Sequence, residues 1–137
     1  MQRGEEEVAL TGGGANYQDT NSRPMLIRAL KYYQKRLLGL AKNEEVVQLE
    51  DWQFGNYFLK AAEDAGVAVN EIEKDPRDVT VVIKEDKYRL IVQRALTFYI
   101  GELRKSKIIV SEQLGEDHPT VSNHDSEIER AKILKNE

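Results

Sequence analysis

Cysteine is absent from the 137 residues, and histidine is confined to His118 and His124. Those two facts exclude disulfide frameworks, thiolate zinc sites and cysteine nucleophiles, and they fit a reducing compartment. Long apolar runs are missing as well. The longest spans Val79 to Ile83 and already has to tolerate Thr80, whereas a helix needs roughly 20 apolar residues to cross a bilayer. Near the start, Glu5, Glu6 and Glu7 stand where a secretory signal would carry a basic region and an apolar core, so no export is expected and the chain reads as cytoplasmic. Excess positive charge is lacking too. With 24 acids against 20 bases, the balance favours solubility and argues against a protein whose whole surface embraces nucleic acid.

What is present suits one helical domain. A chain of this length should bury roughly two-thirds of the surface it exposes when unfolded. Residues 1–21 carry the run Gly12-Gly13-Gly14 and few anchors for a core, so a flexible tail is expected before a domain at 22–137. The glycine triplet lacks the following Lys-Ser/Thr of a phosphate loop and reads as linker. Ser22 and Pro24 suit the start of a first helix, in which Leu26, Leu30, Tyr33, Leu37 and Leu40 form one stripe up to about Lys42. A second helix follows within Glu44–Ala65, with Phe54, Phe58, Ala61 and Ala65 inward and Gly66 at its expected C-terminal end. Gly55 in its interior implies a break near Asp51 or a close helix–helix approach, and a start near Asp51 after a short turn of helix is expected.

Residues 67–85 admit two readings. The β-branched content suggests a short β-hairpin, while Asp75-Pro76 followed by Val79, Val82 and Ile83 suits an extra short helix packed across the bundle. Asp86 then caps a third helix reaching about Val110, with Val92, Leu96, Tyr99 and Leu103 inward. Residues 115–123 read as a loop, before a last helix capped by Ser122 or Asp125 with a thin stripe of Ile128, Ala131 and Leu134.

Two segments resemble each other. Arg28-Ala29-Leu30-Lys31-Tyr32-Tyr33 aligns without a gap to Arg94-Ala95-Leu96-Thr97-Phe98-Tyr99, with Leu37 and Leu103 at the same offset. Charge gives an independent check. Residues 22–42 carry six bases and no acids, 43–78 three bases and ten acids, 84–110 seven bases and three acids, and 111–137 three bases and seven acids. Basic followed by acidic occurs twice, as two copies of a hairpin would show if each basic helix lay on an acidic partner. The expected fold is therefore mainly α: a four-helix bundle of two related helical hairpins, at about 22–66 and 86–137, joined by the insert 67–85.

Several surfaces are candidates for function. The first helix presents Arg23, Arg28, Lys31, Lys35, Arg36 and Lys42 around Tyr32, which would suit phosphate contact, although no nucleic-acid reader motif accompanies them and the acidic second helix can neutralise them. Arg28 and Arg94, with Tyr33 and Tyr99 on the seam, are the candidate ligand-binding residues. A guanidinium fork takes a carboxylate or phosphate, and a buried phenol needs a partner. The plainer alternative for the arginines is a structural ion pair with Glu63, Asp64 or Glu129.

No catalytic residue, metal ligand or cofactor is assigned. Glu44, Glu45, Glu63 and Asp64 lack the spacing of all-helical magnesium pyrophosphatases, since Lys60 stands three residues before Glu63. The Glu-x-x-His of di-iron bundles is reversed where His124 precedes Glu127. Both histidines read as ordinary polar loop residues. The leading expectation is a non-enzymatic helical protein-interaction module that self-associates as a homo-oligomer. The alternative is a small-ligand or nucleotide-binding bundle, which requires a cavity between the hairpins, and a magnesium-dependent hydrolase comes third.

Overall fold

The computed structural model describes residues 17–42 and 52–137, with side chains at 22–42 and 57–137. The glycine triplet, Glu44 and Glu45 thus lie outside what is described, as do the side chains of Trp52 and Phe54. Among the described residues the elements are α1 (Tyr17–Ala41), α2 (Trp52–Lys74), α3 (Val79–Val82), α4 (Asp86–Leu114) and α5 (Pro119–Lys135), and no strand occurs. The fold is a mainly-α bundle. α1 lies along α2 and α4 along α5, and α1 joins the two pairs by packing on α4 and, less extensively, on α5 and α3.

The apolar stripes account for this packing. Met25, Leu26, Ala29 and Leu30 of α1 are fully buried, and they share one core with Val69 and Ile72 of α2, Val92, Ala95 and Leu96 of α4, and Ile128, Ala131 and Leu134 of α5. Tyr33, Leu40 and Leu103, expected inward, are only half-buried, because the stripes of α1 and α4 leave the core toward their C-terminal halves.

Several boundaries differ from the sequence expectation, each for a local reason. α1 begins at Tyr17, so residues 17–21 are helical and Pro24 lies inside the helix. Proline costs the helix one N–H, but its fixed φ is itself helical, and the buried Ser22 beside it is interior, not a cap.

α2 does not end at Gly66 but continues to Lys74. A Cβ at Gly66 would sit 2.7 Å from Nε2 of Gln34, and that amide donates to the Ala62 carbonyl at 3.1 Å. Gly66 therefore lets α1 approach closely and marks no terminus.

In the insert, the β-hairpin reading is overturned. Val69 and Ile72 are buried on the extended α2, and burial overrides their strand preference. The short helix is α3, with Val79, Val82 and Ile83 inward as the helical alternative required. Its cap is Asp78, whose Oδ1 accepts from Thr80 N at 2.9 Å and Thr80 Oγ1 at 2.7 Å. Asp75 instead accepts from the Arg77 backbone and guanidinium. Glu85, not Asp86, is the N-cap residue of α4.

At the other end, α4 runs to Leu114 and stops at Gly115 (φ +94°), a conformation that favours glycine. α5 starts at Pro119 with His118 as N-cap, its Nδ1 accepting from Thr120 N at 3.2 Å, so residues 119–123 are helix and not loop.

Candidate functional site

Two places on the α1–α4 seam gather the four residues singled out from the sequence. In the first, Arg28 reaches across from α1. Its Nη2 lies 2.5 Å from Oε2 of Glu127 on α5, and its Nε lies 3.5 Å from the Tyr99 hydroxyl on α4. Tyr99 donates to the same Glu127 oxygen at 2.7 Å, and Arg130 Nη1 holds the other carboxylate oxygen at 2.6 Å. One carboxylate is thus clamped between two guanidinium groups and a phenol.

The electrostatics follow from that geometry. Burial pushes the Glu127 carboxyl up, but the Arg28 and Tyr99 hydrogen bonds outweigh it and hold the group below its ordinary range. The Glu127 bond, then the Tyr99 bond, raises the Arg28 guanidinium further above its ordinary value. Tyr99 is raised, first by burial and then by Glu127. Arg28 therefore makes the structural ion pair that was the plainer alternative, with Glu127 in place of Glu63, Asp64 or Glu129.

The second place holds Tyr33 and Arg94. Tyr33 packs on Phe98 with ring centroids 6.0 Å apart, and Tyr32 stacks on Tyr99 at the same 6.0 Å. Burial raises the Tyr33 phenol, while Arg94 opposes that rise. Between them is an open hollow of about 370 Å³ lined by Tyr33, Gln93, Arg94, Thr97 and Phe98. A second hollow of about 360 Å³ adjoins it through Thr97 and Phe98, and is edged by Arg36, Gly101, Glu102 and Lys105. The structure therefore bonds Arg28 to Tyr99 and sets Arg94 and Tyr33 on one hollow, but it does not bring the two arginines to a shared anion. Ala29, Leu30, Ala95 and Leu96 are each fully buried along the seam, which leaves the hollows at its edge.

Comparison with known proteins returns no matching family model, no matching curated protein and no matching solved structure.

Of the basic residues on α1, Arg23 is spent on the fold, donating to the carbonyls of Ile72 at the end of α2 and of Arg77 in the turn that follows. Lys31, Lys35, Arg36 and Lys42 are exposed. Glu63 and Asp64 are exposed as well, with Asp64 accepting from Lys60 at 2.8 Å. Among the described residues no group of three or more His, Asp or Glu side chains is arranged to hold a metal ion, and no helix is long and apolar enough to cross a membrane.

Two participants escaped the sequence reading. His124 is not a loop residue: its Nδ1 is 2.7 Å from the Thr120 carbonyl and its Nε2 is 2.9 Å from Ser106 Oγ, so it pins α5 to α4. Glu127 was missed although spacing could have found it. It stands four residues before Ala131 and seven before Leu134 and so shares their inward face, as does His124 seven residues before Ala131.

Proposed function

We propose that the protein is a non-enzymatic helical interaction module that pairs with a second copy of itself through the outer face of α4. The observation that carries this reading is the exposure of two adjacent isoleucines, Ile108 at 58% and Ile109 at 57%, on a helix whose opposite face supplies the core. Gly101, Lys105, Ile108 and Glu112 follow one another at helical spacing, so they share that outer face.

The occupant follows from self-complementarity. An antiparallel pairing centred between Ile108 and Ile109 sets Ile108 opposite Ile109 of the second copy and Lys105 opposite its Glu112, twice over by symmetry. Among the described residues Lys105 pairs with Glu102 at 3.1 Å, an exposed pair that is easily exchanged. Sedimentation velocity over a dilution series tests this. The wild-type chain should shift toward a dimer with concentration, and I108D/I109D should stay monomeric with an unchanged helical spectrum. A wild-type chain that sediments as a monomer throughout removes the reading.

We also infer that the hairpins are related halves, shifted by 66 residues. Supporting this, Leu30 and Leu96 are equally buried, as are Ala29 and Ala95. The ring pair Tyr32–Tyr99 becomes Phe98–Tyr33 under the shift, and both pairs have the same 6.0 Å separation. Reciprocal contacts of this kind are those a twofold relation produces.

A further inference from the structure

The Arg28–Tyr99–Glu127 cluster shows how this fold seats a carboxylate. A guanidinium from one hairpin and a phenol from the other close on the two sides of a single oxygen, at 2.5 and 2.7 Å. Arg94 and Tyr33 stand 66 residues from Arg28 and Tyr99, with the hairpins exchanged, and both line one hollow. The third part differs. Glu127 fills the clamp at Arg28 and Tyr99, whereas the hollow of about 370 Å³ is open, and among the described residues no carboxylate pairs with Arg94.

The rest of the hollow defines what would fill it. Phe98 and Tyr33 supply aromatic faces, and Thr97 and Gln93 supply polar rims. Thr97 Oγ1 is already bonded to the Gln93 carbonyl at 2.8 Å, and Gln93 Nε2 to the Lys135 carbonyl at 2.6 Å, so neither competes strongly for an anion. The adjoining hollow adds Arg36 and Lys105 against Glu102 alone, which makes the groove net basic. Its size lies at the small end of the range for organic ligands.

We propose that this hollow binds a small aromatic carboxylate, with the carboxylate between the Arg94 guanidinium and the Tyr33 hydroxyl and the ring against Phe98. The guanidinium gives a bidentate, charge-assisted contact, the phenol donates one more hydrogen bond, and the ring covers apolar surface now open to water. This proposal takes the relation between the hairpins as its template, but it does not need self-association.

Benzoate is the probe, and benzamide, with the same ring and no charge, is its control. Isothermal titration should show saturable benzoate binding and at least about tenfold weaker benzamide binding, as expected when a charged hydrogen-bonded group is lost. R94Q should weaken benzoate by about tenfold or more, and Y33F by less. Both variants should keep their melting temperature and their mass, because Arg94 is exposed and lies outside the α4 pairing. I108D/I109D should bind benzoate as the wild type does, which separates this site from the proposed dimer.

Side-chain NMR should place the largest shift at the Arg94 Nε–H, not at Arg28. Benzoate binding unaffected by R94Q, or no saturation at all, would overturn the assignment. Phenyl phosphate binding more tightly than benzoate would overturn the carboxylate class and assign the site to phosphate esters.

Discussion

Glu127 unites two side chains that stand 71 residues apart in the chain, Arg28 and Tyr99, and its neighbours differ in how much they need it. Tyr99 is buried and depends on Glu127 as its acceptor, whereas the Arg28 side chain is half exposed and can be solvated. E127A should therefore cost about 1–3 kcal/mol in chemical unfolding, mainly for the stranded phenol. E127Q, which keeps an acceptor for Tyr99, should cost less than E127A, since a pair with one exposed partner contributes little.

Asp75 makes a pH prediction at the same scale. Hydrogen bonds from the Arg77 side chain and backbone lower its carboxyl from 3.8 to about 2, while Arg77 is raised by its partners Asp75 and Glu85. The folded value lies below the unfolded one, so the stabilisation is complete above the unfolded pKa. It is lost as pH falls through the window from 3.8 to about 2. Glu127, also lowered, acts in the same direction. Urea midpoints of wild type and D75N should accordingly differ at neutral pH and converge as the pH approaches about 2. A difference that persists in acid would show that Asp75 acts through its shape and not its charge.

At the scale of the element, Gly66 shows where local signals mislead. A glycine after an apolar stripe usually ends a helix, yet here α2 passes through it because α1 presses Gln34 against that point. G66A gains about 1 kcal/mol of helix propensity but displaces the Gln34 amide from the Ala62 carbonyl, so it should be nearly neutral. With Q34A already in place, the same change should stabilise by about 0.5–1 kcal/mol, and this double-mutant cycle reads the close approach directly. Gly39, where an added Cβ meets nothing within 4 Å, is the control, and G39A should stabilise in either background.

The same contrast explains what could be read in advance. The stripes of α1 and α4 were legible because 3.6-residue periodicity is set by the chain itself, and so was the placement of Arg28, Arg94, Tyr33 and Tyr99 along the α1–α4 seam, although Arg28 and Tyr99 close there on Glu127. The extension of α2 over Val69 and Ile72 was not, since tertiary burial outweighed β-branched preference. Nor was the pairing of Arg28 with Glu127, which depends on which face α5 turns toward α1. Asp78 capping α3 in place of Asp75 was likewise a contest between neighbours, decided by Arg77 claiming the first carboxylate.

For the whole molecule, the seam between the hairpins is the feature on which everything else rests. Leu30 and Leu96 are both fully buried there. L30A and L96A should each cost about 2–5 kcal/mol, as large-to-small core changes do. If the halves are related, the two costs should also be similar. A large loss at one and a negligible loss at the other would contradict the equivalence of the hairpins.

Beyond the single chain, the outer face of α4 is where we propose that two copies pair antiparallel across Ile108 and Ile109. The absence of native cysteine makes a direct measurement possible. Chains carrying K105C and chains carrying E112C, mixed under mild oxidation, should form a K105C–E112C disulfide that greatly exceeds either homodimer. Substituting I108D/I109D in both chains should abolish it. A mixture that crosslinks no faster than chains carrying K60C on the exposed face of α2 would contradict the pairing.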